Sequence, residues 1–465
     1  MFRARPGAAA VAAAAVALFA ADTASAKVSQ AEADRLGKDL TCVGAEKAGN
    51  QAGTIPEFSG KWLGTPPGVQ YTPNVGQHPV DPYPNDKPLF VITAQNLSQY
   101  AAYLTDGQKA MFAKYPQSFR MPVYPGRRDF RYPDFVCAAA KKNAVSAEST
   151  DGGMGLKGAV IGSSPFPIPQ NGAELLWNQS LPWRAATEKT VRDFANVLPD
   201  GTVSWGRMRN DNLSTVTDPK DVGKPIELHD GIMALSINLT LLPERDKGNL
   251  SISQEPVSFV KDKRLAWQYN PGTRRVRQLP EFGFDQPMGG SGNKMTIDSD
   301  RLFNGSPERY DWKMVGKREI YVPANNYRVH AKGVKYADLL KKNHANPDYE
   351  RYELRRVWVL EATLKKGYRH LYGRRVLFID EDTWHSLMSD FYDARGQLWQ
   401  WAFINYYYAF DMQAWHAGTS FYHDLNSGGY VGYNMFQERD KGPIINDFKL
   451  KREMFTPEAA RSIGT

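Results

Sequence analysis

Residues 265–279 read LAWQYNPGTRRVRQL. Leu265-Ala266-Trp267-Gln268-Tyr269 alternates in polarity, Asn270-Pro271-Gly272 supplies a turn, and the alternation resumes from Val276 to Leu279. Alternation with a two-residue period across a Pro-Gly turn predicts two antiparallel strands. The same rhythm recurs downstream. Tyr352–Leu364 places Leu354, Arg356, Trp358 and Leu360 on one face, with Val357 and Val359 on the other. Arg374–Ile379, Trp384–Phe391 and Gln397–Tyr408 continue as strands, parted by Glu381-Asp382 and by Ala394-Arg395-Gly396. Strands joined by tight turns predict an antiparallel meander from about residue 200 onward.

Upstream the chain has a different character. Ser29-Gln30-Ala31-Glu32 forms a capping box ahead of Gly37 and predicts a short helix over 30–36. Between Asn50 and Pro88, Thr65-Pro66-Pro67-Gly68 and Asp81-Pro82-Tyr83-Pro84 leave no room for a regular element, so an extended segment lying over the rest is expected. Leu97, Tyr100, Ala101 and Leu104 keep helical spacing, as do Ala110, Met111 and Tyr115, and Thr456-Pro457-Glu458 opens a terminal helix. The chain is therefore expected to be mainly β, of α+β type. A signal segment (1–26), a helical and Pro/Gly-rich part (27–199) and a meander (200–465) are expected, with 27–465 forming one integrated domain.

The first 26 residues carry Arg3 and Arg5, an apolar run from Ala8 to Ala21 and the small-x-small site Ala24-Ser25-Ala26. They read as a secretory signal cleaved to leave Lys27 first, because a run broken by Asp22 is shorter than the about 20 residues a membrane span needs. Mean hydropathy of −0.51 argues against a multi-helix membrane protein. The chain has 58 basic and 50 acidic side chains, and the mature part is about +7. This surplus is spread out and lacks a recognition motif, so nucleic acid is not an expected partner. Cys42 and Cys137 are the only cysteines, which excludes zinc ribbons and disulfide frameworks. In an oxidising compartment the two are expected to pair.

Catalytic motifs are weak. Gly153-Met154-Gly155-Leu156-Lys157-Gly158 matches G-x-G-x-x-G, but no apolar strand precedes it and Pro165, Pro167 and Pro169 stand where the phosphate-binding helix would begin. Gly289-Gly290-Ser291-Gly292-Asn293 misses the nucleophile elbow at its last position and reads as a flexible loop. His416 and His423, seven apart and near Asp411 and Asp424, could ligate a metal, but half-exposed histidines of an aromatic region are the commoner reading, and Asp380-Glu381-Asp382 reads as a solvated hairpin turn. No catalytic or metal-binding residue and no cofactor are assigned, so no enzyme is expected.

Aromatic residues offer the strongest site signal. Between Trp384 and Phe436, 16 of 53 residues are Phe, Trp or Tyr, against 12% overall, so a specialised wall or a bulky core concentrates there. Trp267 with Tyr269, Trp358 with Leu360, and Trp399, Trp401 with Phe403 are the candidate sets for a hydrophobic cavity, subject to strand register.

Several blocks together resemble the exported bacterial family called domain of unknown function 1329. These are Leu36–Thr41, Val43–Asn50, Gly53–Pro56, Phe166–Pro169 with Trp177-Asn178, Trp267–Arg277, Phe303–Pro307, Tyr310–Trp312, Asn346–Tyr349 and Arg351–Leu354. Cys42 stands where that family is expected to carry proline. The resemblance implies a LolA/LolB-like fold, an incomplete and strongly curved antiparallel β-barrel with helices plugging its open side. It further implies a periplasmic binding or carrier protein for a lipid or other hydrophobic molecule, peripheral to the outer membrane. The implied partners are outer-membrane channel-like proteins and resistance-nodulation-division type permeases. An envelope enzyme acting on a hydrophobic substrate and an assembly partner of an outer-membrane complex are the alternatives.

Overall fold

The computed structural model describes residues 28–260, 262–279 and 284–463. The expected signal segment, its cleavage site and Lys27 lie outside the described residues. Two short strands, β1 (Phe90–Ile92) and β2 (Met121–Val123), and a separate ribbon of β3 (Glu148–Thr150) and β4 (Gly155–Lys157) precede the long strands. These are β5 (Thr187–Val197), β6 (Val203–Ser214), β7 (Ile232–Leu242), β8 (Leu250–Pro256), β9 (Leu265–Asn270), β10 (Arg275–Gln278), β11 (Tyr310–Pro323) and β12 (Tyr352–Leu364). β13 (Arg374–Asp380), β14 (Ser386–Tyr392), β15 (Leu398–Ala409), β16 (Ala414–Asp424), β17 (Tyr430–Met435) and the two-residue β18 (Ile444–Ile445) complete them.

All but the ribbon join one sheet, ordered β1-β2-β12-β13-β14-β15-β16-β17-β5-β6-β7-β8-β9-β10, with β11 on β12 and β18 on β5. Pairing is antiparallel throughout except at the single bridge of β2 to β12. The two ends of this order do not pair among the described residues, so the curved sheet is a barrel left open. Its long strands begin at Thr187, before the expected residue 200, and β5 opens the meander β5–β10 while pairing on its other edge with β17 from the later meander. Strands predicted from alternation agree with the observed spans to within two residues, and β12 coincides with its prediction.

The N-terminal part covers the sheet. Helix Asp106–Lys114 is capped by Thr105 and Gln108 and lies against β14 and β15. Its Gly107 sits so close that a Cβ there would fall 2.2 Å from Cδ1 of Trp401. Helices Asp134–Ser146 and Gly172–Ser180 carry no expectation from sequence. The first of them carries Cys137, disulfide-bonded to Cys42. From Asn50 to Pro88 there is no helix or named strand, as the Pro and Gly density requires.

Asp380-Glu381-Asp382 corrects a sequence expectation. All three are buried, not solvated. Arg128 pairs with Asp382 at 2.8 Å, Arg355 with Asp382 at 2.7 Å, and Arg356 with Glu381 at 2.7 Å. Arg128 also donates to the carbonyls of Glu46 and Pro56, and Trp384 Nε1 donates to the Val43 carbonyl. The Pro-rich segment thus lies over the turn, and its unpaired carbonyls are satisfied by arginines that the acids hold in place.

Candidate functional site

Strands β6 to β9 show how one face of the sheet is hollow. On β7, Leu235 and Ile237 point to one side and Ser236, Asn238 and Thr240 to the other. The apolar side, with Leu250, Ile252 and Tyr269, packs under Phe455 and Ala460 at the terminal helix Pro457–Ile463. The polar side chains line a cavity of about 860 Å³, which Leu235, Leu250 and Ile252 also reach. That volume falls near the upper end of the roughly 300–1,000 Å³ common for ligand pockets.

Register makes the polar side continuous. Asn210 faces Asn238, Asn212 faces Ser236, Ser236 faces Ser253, and Ser251 faces Gln268. Asn210 Nδ2 donates to Asn238 Oδ1 at 2.6 Å, and the Ser236 and Ser253 hydroxyls bond at 2.7 Å. The lining also takes apolar residues from other segments, among them Leu176, Phe194, Met288, Phe303, Ile404 and Trp415. Phe194 is wedged between two glycines. A Cβ at Gly206 would lie 1.9 Å from its ring, and one at Gly290 would lie 2.2 Å away. The loop holding Gly290 is anchored, because Ser291 is buried and its Oγ donates to the Met288 carbonyl at 2.7 Å.

The segment 296–304 brings charge to the cavity. Thr296 and Ser299 cap each other, and Tyr422 Oη donates to the Ser299 carbonyl at 2.8 Å. Buried Asp298 is held by Arg375 and by His370, the latter at 3.0 Å. Burial alone would raise the Asp298 pKa, but these two neighbours hold it below the usual range. Gln179 donates to the carbonyls of Arg301 and Phe303. Between these pins the backbone of Arg301 and Leu302 is left-handed, at φ +52° and +71°. Two such residues without glycine cost roughly 1–3 kcal/mol each and persist only where surroundings impose them.

Arg301, Arg192, Tyr406, Tyr433, His385 and His416 line one region of the cavity. Arg192 donates to Asn434 Oδ1 and, at 3.1 Å, to Tyr433 Oη. His385 stacks on Tyr406, 4.6 Å between ring centroids. Burial, then the nearby Arg301 charge, pushes the His385 pKa down to about 3, so its imidazole is neutral. Burial likewise lowers that of His416, whose Nε2 stands 3.7 Å from Glu188. Nearer the strands' outer ends Arg264 pairs with Glu255.

None of the seven sequence candidates lines this cavity. Trp267 and Tyr269 lie on the opposite face, in the cluster beneath the terminal helix. Trp358 stacks 6.4 Å from Trp384 with Lys317 Nζ over its ring, and Leu360 is core. Trp399 donates to Asp424. Trp401 and Phe403 are core, packed with one another and with His423, and Trp401 also meets Phe119. The cavity takes their strand neighbours instead, Ala266 and Gln268, Ile404 and Tyr406. A one-residue choice of face separates the two sets, and the helices that cover the sheet decide it. The Ser/Asn/Thr alternation of β7 was a readable signal for the polar wall. Arg192 and Arg301 had none.

The described residues thus form an open, curved β-barrel around an amphipathic chamber. The chain belongs to the DUF1329 family, proteins of unknown function, whose model matches residues 91–461. It is 39% identical over 440 residues to the uncharacterized protein PA3922 of Pseudomonas aeruginosa, covering 94% of each chain. Among solved structures it is similar to a DUF1329 family protein from Desulfovibrio piger, with TM-score 0.39, 14% identity and coverage of 59% of this chain and 92% of that one. It is also similar to the LolA superfamily protein NE2245 from Nitrosomonas europaea, with TM-score 0.37, 13% identity and coverage of 63% and 100%.

Proposed function

We propose that the protein is a non-catalytic binding or carrier protein for a lipid or other hydrophobic molecule, working in the periplasm beside an envelope transport system. The supporting observation is the roughly 860 Å³ chamber within the open barrel, whose lining combines apolar side chains with serine and asparagine. Such a chamber suits a molecule with a large apolar body and some hydrogen-bonding groups, since each buried polar group of the ligand then finds a partner. Among the described residues no helix is long and apolar enough to cross a membrane. Export rests on the N-terminal signal pattern, and the expected partners remain a channel-like outer-membrane protein and a resistance-nodulation-division type permease.

Native mass spectrometry of protein released from its own periplasm by osmotic shock, followed by solvent extraction, tests the proposal. A mature chain starting at Lys27 with a co-purifying amphiphile is expected. An empty protein that also fails to take up any fluorescent fatty-acid or sterol probe refutes it.

A further inference from the structure

Among the described residues the chamber holds an arginine that the fold leaves without a direct partner. The Arg301 side chain lines the cavity, and among the described residues its guanidinium has no hydrogen-bond or ion-pair partner. Arg184, also on the lining, has none among the described residues either, whereas other arginines of this region differ. Arg192 is bonded to Asn434 and Tyr433, Arg264 is paired with Glu255, and Arg375 with Asp298. Burial lowers the Arg301 pKa, and the only groups opposing that effect are the phenols of Tyr406 and Tyr433. Neither Asp300, next in sequence, nor Glu188 answers it. The Asp300 carboxylate feels Arg192 and Arg264, and Glu188 faces His416.

A part-buried arginine without a counter-ion favours the approach of an anion into the chamber. The backbone at Arg301 and Leu302 is also left-handed, held by Gln179. Strain imposed by the surroundings at a cavity wall is a feature of ligand clamps. Besides the Asp300 and Glu188 carboxylates, which lie in the same region without pairing directly with Arg301, uncharged donors surround the guanidinium. His385 is neutral with its Nε2 unpartnered among the described residues, and the Tyr406 hydroxyl has no partner there either.

We infer that Arg301 is the anchor for an anionic head group, so the ligand is an amphiphile whose apolar body carries a carboxylate or phosphate. The inference rests on the binding-protein proposal and names the chemistry of its ligand. Arg301 forms the bidentate pair that a planar guanidinium offers to such oxygens. His385 and Tyr406 supply further donors, and the apolar wall of Leu176, Phe303 and Ile404 receives the body.

The test uses the full mature protein and three competitors of one chain length against a fluorescent fatty-acid probe: dodecanoate, dodecyl phosphate and dodecanol. For wild type, at least one of the two anions is expected to displace the probe about tenfold or more better than dodecanol, the size of a charge-assisted hydrogen-bonded pair. The stronger anion identifies the head. In Arg301→Gln the preference for anions over the alcohol should vanish while dodecanol binding is unchanged, and Arg301→Lys should restore part of it. Equal displacement by all three in wild type overturns the anchor but leaves a binding protein. An Arg301→Gln variant that loses anion and alcohol equally, with an unchanged melting temperature, also overturns the anchor. If that variant does not fold, the wild-type ratio of anion to alcohol decides. No binding of any probe refutes the binding proposal itself.

Discussion

Replacing Trp401 with alanine separates core from cavity wall at the centre of the aromatic region. The indole is fully buried, with ring centroids 4.8 Å from Phe403, 5.3 Å from His423 and 5.9 Å from Phe119. Helix Asp106–Lys114 lies directly on it through Gly107, so no side chain stands ready to fill the space. A tryptophan buries roughly 150–250 Å², worth about 4–6 kcal/mol at about 25 cal/mol per Å². An extended-chain reference overstates that figure, and alanine retains part of the burial, which brings the expected cost to about 3–5 kcal/mol. No lost hydrogen bond adds to it, because Nε1 has no partner among the described residues. Urea unfolding followed by circular dichroism should show this loss, while the folded fraction binds a fatty-acid probe with unchanged affinity, since Trp401 does not line the cavity. A cost below about 1 kcal/mol, or weakened binding by protein still folded, would refute the assignment of this face to the core.

Gly206→Ala should drive the Phe194 ring into the chamber, weakening probe binding and costing about 1–3 kcal/mol by overpacking; an unchanged affinity would show that the ring has room elsewhere. Non-reducing peptide mapping should recover Cys42 and Cys137 as one cross-linked pair, and the double serine variant should lose up to about 4–5 kcal/mol for a loop of 95 residues. His423, buried against Trp401 and Tyr430, has its pKa lowered by burial to about 3. Its unfolded value is about 6.5, so the unfolded chain binds the extra proton and stability falls as pH drops from about 6.5 toward 3. His423→Phe should remove that loss, gaining about 1–2 kcal/mol on wild type at pH 5 relative to pH 7.5 in urea midpoints; a gain equal at both pH values would contradict it.

Alternation along LAWQYNPGTRRVRQL and along β12 to β15 was enough to set the meander, since a half-buried strand must show opposite polarity on successive residues. Proline density marked the extended covering segment for an equally local reason, the loss of backbone donors and of helical φ/ψ. Which face of each strand is hollow is not a local property. On β9 the aromatic residues went outward because the terminal helix, nearly 200 positions later, brings Phe455 and Ala460 to cover them. On β15, Trp401 and Phe403 became core because helix Asp106–Lys114 and Phe119 lie on that side. The acidic turn Asp380-Glu381-Asp382 was buried by arginines from β12 and from residue 128, again a long-range effect. The sequence settled the alternation, and only the chain's return over the sheet selected the side. Arg301 owes its place to that return as well: Gln179, Tyr422 and, through Asp298, Arg375, all from distant segments, hold the 296–304 backbone in a conformation no local preference would choose.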